Sequence, residues 1–135
     1  MKYLKIFEKF KDSLIQDVSD ICLELKDIGL YVDVNEFDYY TSGIGEMAKD
    51  PKFIKNAIGI DIYSDRDFKF SDVSDVVYRL ADFAKQKRLT MTIEIVSNGN
   101  EVSQFSLKDF IKAYPDCVFS SDELGGILTI ILYRS

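Results

Sequence analysis

Asp61 and Glu94 occupy polar positions in two strongly alternating apolar stretches, "IGIDIYS" and "LTMTIEIVS". If the fold sets them side by side, they form a carboxylate pair able to divide acid and base roles, because two nearby carboxyl groups resist simultaneous ionisation. Such chemistry also needs a nucleophile or held water beside the pair, and no motif supplies one. The chain contains no histidine. That removes the usual general base, the Ser-His and Cys-His dyads and most transition-metal sites together. Cys22 and Cys117 each stand alone without CxxC spacing, so neither a zinc site nor a structural disulfide is expected. The glycine turns "SGIGE" (42–46) and "LGG" (124–126) lack the spacing of a phosphate-binding loop. Glu8, Asp12, Asp20, Glu24 and Asp27 read as the water-facing side of a helix, since no loop brings carbonyls to a cation there. The expectation is a non-enzyme without cofactor or metal.

Charge narrows the partners. The formal net charge is -6, and Lys and Arg cluster only in "KQKR" at 85–88, where cations at a helix C-terminus complement the macrodipole. A phosphate backbone is repelled on average, so no nucleic-acid partner is expected. The longest apolar run, "GGILTIILY", falls short of the roughly 18 to 20 residues that cross a bilayer. The opening "MKYLKIFEKF" alternates charged and apolar groups, unlike a secretory signal, and the chain reads as cytoplasmic. At 135 residues and 47% hydrophobic content it has material for one domain with one core.

These carboxylates must be positioned by an alternation of helices and strands. Apolar residues at three- and four-residue spacings, Phe7, Phe10, Leu14, Val18, Ile21, Leu25 and Ile28, predict a helix over 3–28 with a weak point near Asp12, stopped by Gly29. "LYVDVN" then alternates as a strand. A long connection (36–56) ends in a short helix, with Asp50 as N-cap and Pro51 as first helical residue, running through Ile54; 58–63 is a strand. Ser71 is placed to cap a second long helix with the stripe Val73, Val76, Val77, Leu80 and Ala84, and the "LTMTIEIVS" strand follows it, ended by the turn "NGN". The second connection (97–126) carries a short helix opened by Ser106 and a short strand "CVFS", before the last strand "ILTIILYR".

Asp-Val-Ser-Asp occurs at 17–20 and at 72–75; Leu25 and Asp27 match Leu80 and Asp82 at the same offset, and Phe53-Ile54-Lys55 matches Phe110-Ile111-Lys112. The chain therefore reads as one α+β domain over 1–135 with a pseudo-repeat, 3–63 and 71–133, of two αββ units. Their economical packing is a four-stranded sheet with both long helices on one face, a ferredoxin-like arrangement whose first strand is moved to the end of the chain. The strands at 58–63 and 127–133 are then central. The other sheet face carries Tyr31, Asp33, Asp61, Tyr63, Thr92, Glu94, Thr129, Ile131 and Tyr133. An exposed face of tyrosines and carboxylates is a contact surface for a protein, unless it is an ordinary solvated face or a homodimer seam.

The opening "MKYLKIFEKF", the stretch "IQDVSDICLELKDIGLYVDV" and the later "FKFSDVSDVVYRL" resemble small uncharacterised proteins encoded by tailed bacteriophages. The resemblance implies a phage product in a bacterial cytoplasm and assigns no site residues. The leading expectation is a protein-interaction module acting on a host or phage protein, with self-association, through Tyr31, Asp33, Asp61, Tyr63, Glu94 and Tyr133. The alternative is a small-ligand or nucleotide binder using the two connections near Tyr39, Tyr40 and Ser42.

Overall fold

The computed structural model describes residues 13–41, 52–97, 101–120 and 126–134. The start of the first helix with Phe7 and Phe10, Ser42 and the glycines after it, the Asp50–Pro51 cap and the "NGN" turn lie outside these ranges. Residues 13–21 are helical (α1), and after a turn at Cys22 the helix resumes as α2 (Leu23–Asp27). Leu14, Val18, Cys22 and Leu25 form the buried stripe, whereas Ile28 is 58% exposed. Ile28 turns outward because the helix has already ended. Leu30 N–H donates to the Leu25 carbonyl (3.0 Å) and Gly29 N–H to that of Lys26 (3.1 Å), with Gly29 at φ +86°. This is a left-handed helix stop, a conformation that glycine adopts without a Cβ penalty.

The main sheet is five-stranded and antiparallel throughout, with order β1 (Tyr31–Thr41), β2 (Lys52–Tyr63), β7 (Ile127–Tyr133), β4 (Thr90–Ser97), β5 (Glu101–Phe105). It therefore has one strand more than the sequence predicts, because 101–105 returns beside β4 as a hairpin partner. The short helix through Ile54 does not form: Phe53 and Ile54 lie in β2, paired with Tyr40 and Tyr39. Much of the presumed connection 36–56 is thus a long β-ribbon. It carries a bulge where Asn56, at φ 62°, donates its N–H to Asp38 Oδ1. The Phe-Ile-Lys match accordingly joins a strand to a helix, since α4 (Leu107–Ala113) does form, its Ser106 hydroxyl accepting from Asp109 N–H.

The second long helix, α3 (Phe70–Gln86), begins one residue before the expected Ser71 cap. The residues ahead of it, β3 (Phe68–Lys69), pair with β6 (Val118–Phe119) in a small second sheet and stay extended up to the first helical turn. Asp72 closes that turn by accepting the Lys69 N–H at 2.9 Å. One contiguous core joins Val18 and Leu25 of the first helical segments and Val73, Val77 and Leu80 of α3 to Ile60, Ile62, Ile93, Leu128 and Ile130. Both helical segments thus cover the same sheet face, and Phe110 of α4, fully buried, closes the same core against Phe70 and Phe119.

Candidate functional site

Antiparallel register turns the other sheet face into rows that run across the strands, since directly opposed residues point the same way. One row is Asp33, Asp61, Thr129, Glu94 and Gln104, one residue from each strand of the main sheet. Next to it run Tyr31, Tyr63 and Ile127, continued beyond β4 by Val102. On the opposite side of the polar row come Asn35, Gly59, Ile131 and Thr92, and then Phe37, Ala57, Tyr133 and Thr90.

Burial divides this face in two. Tyr31 (48%), Ile127 (44%) and Val102 (55%) are exposed and the polar row is exposed or half-exposed, whereas Thr92, Ile131, Ala57 and Tyr133 are buried. The Phe37 ring lies across Gly59, so close that a Cβ there would meet it at 2.6 Å, and Ile54 packs against Ala57, Ile131 and Tyr133. Tyr133 is therefore no part of an exposed surface. Thr92 donates its hydroxyl to the Tyr133 oxygen at 3.3 Å inside this second, smaller core. Tyr63, near the end of β2, and Tyr133, at the end of β7, lie at opposite ends of the sheet because β2 and β7 are antiparallel. One flat contact cannot cover both.

The remaining predicted residues, Tyr31, Asp33, Asp61, Tyr63 and Glu94, share the exposed half. Asp61 and Glu94 are not immediate neighbours: both pair with Thr129, so β7 separates them by two strand spacings, about 9 to 10 Å. The direct neighbour of Asp61 is Asp33. Each carboxylate is instead oriented by a neutral donor: Thr129 Oγ1 donates to Asp61 (2.7 Å), Tyr63 OH to Asp33 (3.0 Å), Tyr31 OH to Asp65 (2.9 Å) and Gln104 Nε2 to Glu94 (3.3 Å). The Tyr31 and Tyr63 rings stack with centroids 5.4 Å apart. Their carboxylate acceptors hold both phenols above the ordinary tyrosine pKa, so they stay protonated as donors. Arg79 pairs with Glu24 on the helical side, and among the described residues no group of three or more His, Cys, Asp and Glu could hold a metal ion. No described helix is long and apolar enough to cross a membrane.

Burial raises the Glu94 carboxyl above its ordinary value of 4.5, the Gln104 hydrogen bond opposes this, and Asp61 adds a smaller upward push. The folded state thus takes up the proton more readily than the unfolded chain. Charged Glu94 costs stability at neutral pH, and the cost vanishes as the pH falls through the raised pKa to below 4.5. Glu94→Gln is therefore expected to stabilise the protein at pH 7 and to lose that advantage below about pH 4.5. Urea unfolding of both proteins across this range checks it; an advantage independent of pH would remove burial of the charge as the cause.

Neither thiol is poised as a nucleophile. Burial pushes Cys22 up to about 11 against the pull of Arg79 and Lys26, and burial raises Cys117 too. Of the residues proposed for a ligand, Tyr39 and Tyr40 lie on β1 in the ribbon, and Ser42 is outside the described residues. An open cleft of about 460 Å³ is lined by Gly29, Leu30, Ser64, Arg66, Asp67 and neighbouring residues, and another of about 260 Å³ lies between Cys22, Lys26 and β1. Neither takes a residue from 36–56 or 97–126. Sequence reasoning missed Asp65, which follows the strand, and Val102 and Gln104, whose strand is too short and too polar to stand out. Compared with known proteins, the chain matches no family model, no curated protein and no solved structure.

Proposed function

We propose that this protein is a non-enzymatic interaction module that binds a cationic face of another protein through the exposed half of its open sheet face. The observation that carries this reading is the row Asp33, Asp61, Glu94, three carboxylates oriented by neutral donors, beside the exposed Tyr31, Ile127 and Val102. Apolar area supplies contact, and the carboxylates select Lys or Arg and reject acidic or phosphate surfaces. Self-association through this same face sets carboxylates against carboxylates, which is unfavourable at neutral pH. In line with the resemblance to tailed-phage proteins, the partner is a protein of the phage or of its bacterial host.

As architecture, the reading is a permuted ferredoxin-like domain made from a duplicated αββ unit. The order β1-β2-β7-β4 supports it, being the order obtained when the first strand of such a sheet moves to the chain end. So does the burial of Val18 with Val73 and of Leu25 with Leu80. The ribbon and β5 are additions to that plan.

The test is capture from bacterial lysate by the immobilised protein and by an Asp33→Asn, Asp61→Asn, Glu94→Gln triple variant. A basic protein retained by the parent, released by salt and lost by the triple variant is the expected result, because exposed charges are screened within about 8 Å at physiological ionic strength. Equal retention by the two proteins would sink the reading.

A further inference from the structure

The acidic face is not uniform across the sheet, and at its β1 edge it has a distinct chemistry. There the stacked Tyr31 and Tyr63 stand between two carboxylates, and each phenol donates to one oxygen of Asp65 or of Asp33. The other oxygen of each carboxylate makes no hydrogen bond among the described residues, and no Lys or Arg there pairs with either. Tyr31 is 48% exposed and Tyr63 half-buried.

We propose, resting on the interaction reading above, that this corner is an arginine anchor: it takes the guanidinium of an Arg side chain on the partner, stacked on a tyrosine face and bonded to Asp33 or Asp65. A guanidinium is planar and carries donors along its edge, so it can lie flat on a ring while its N–H groups reach a carboxylate at the rim. An ammonium has no flat face, and it spends its charge on a hydration shell that the ring partly displaces. Centroids at 5.4 Å leave no room for a group between the rings, so the guanidinium sits on their outward side. Because the phenolic hydroxyls are already committed to Asp65 and Asp33, the carboxylates are held in place before the partner arrives, which lowers the ordering cost of binding.

Elsewhere along the row the conditions differ. Asp61 is oriented by Thr129 and Glu94 by Gln104, with no aromatic ring in either pair. Those positions attract any cation, and only the tyrosine corner distinguishes Arg from Lys.

The test uses two synthetic peptides of equal length and charge, one carrying Arg and the other Lys, titrated into the full chain at low salt and followed by amide chemical shifts. The Arg peptide is expected to bind roughly tenfold more tightly, with the largest shifts around Tyr31 and Tyr63. Tyr31→Ala and Tyr63→Ala should each reduce that preference. Tyr31→Phe and Tyr63→Phe keep the ring, release Asp65 or Asp33, and should reduce it partway. If both peptides bind equally, and both are lost in the triple carboxylate variant, the arginine anchor is overturned while the interaction face stands. A preference for Arg that survives both alanine variants also overturns the anchor. If neither peptide binds, both readings fall.

Discussion

Leu80→Asp is expected to leave the protein unfolded at room temperature, and Leu25→Asp to do the same. Both side chains are at most 1% exposed and sit in the core between the helices and the sheet. A carboxylate there is set among apolar core side chains, and burying it unpaired costs about 4 to 5 kcal/mol or more, on top of the lost leucine packing. That is comparable with the whole stability of a domain of this size, about 5 to 15 kcal/mol. Far-ultraviolet circular dichroism and urea titration of both variants check it. A parent-like melt from either one would show that the helix carrying it does not pack as described.

A second large effect separates two tyrosines that the sequence alone puts on one exposed face. Tyr133→Ala should cost about 3 to 5 kcal/mol, because it empties a buried aromatic site and strands the Thr92 hydroxyl, itself 1% exposed. Tyr63→Ala should cost about 1 kcal/mol or less, since it loses mainly the stack on Tyr31 at the sheet surface. Thermal melts of the two variants side by side decide the matter. Equal losses would mean that the two halves of this face are not divided into covered and open parts.

The contrast shows what the sequence carries. Alternation places Asp33, Asp61, Tyr63, Glu94, Thr129, Ile131 and Tyr133 on one side of the sheet, because side-chain period depends on backbone geometry alone. It is silent on what lies over that side. Tyr133 and Ile131 read as surface, and the cover over Ala57 and Gly59 comes from Phe37 and Ile54, on the ribbon that looked like a loop. That ribbon was illegible for a local reason: Asp50-Pro51 is a strong helix-start signal, yet the pairing of Tyr39 with Ile54 and of Tyr40 with Phe53 outweighs it. Strand β5 was hidden by its brevity and by Ser103 and Gln104. The stripe Val73, Val76, Val77, Leu80 and Ala84 of α3, Gly29 as the stop and Ser106 as a cap needed no tertiary information, since each is fixed within a few turns of chain. Of the site, the residue types were legible; the division of the face and the donor to each carboxylate were not, because both depend on register between strands distant in sequence.

That β7 sits between β2 and β4 has a kinetic consequence. The hairpins β1–β2 and β4–β5 join neighbouring stretches of chain and can close early, but neither makes a sheet with the other. Residues 127–133 must bridge them, and their pairings, such as Ile58 with Leu132 and Thr90 with Tyr133, span long stretches of chain. Loop-closure entropy is charged before those contacts return anything, so the assembly of this sheet should be the slow step of folding. Until then β2 and β4 each present an unpaired, strongly apolar edge to solvent. During synthesis at roughly 5 to 20 residues per second, the stretch from Ser97 to Tyr133 takes seconds to appear. For that interval the nascent chain holds two open templates for misassociation, and completion of the seventh strand removes both at once.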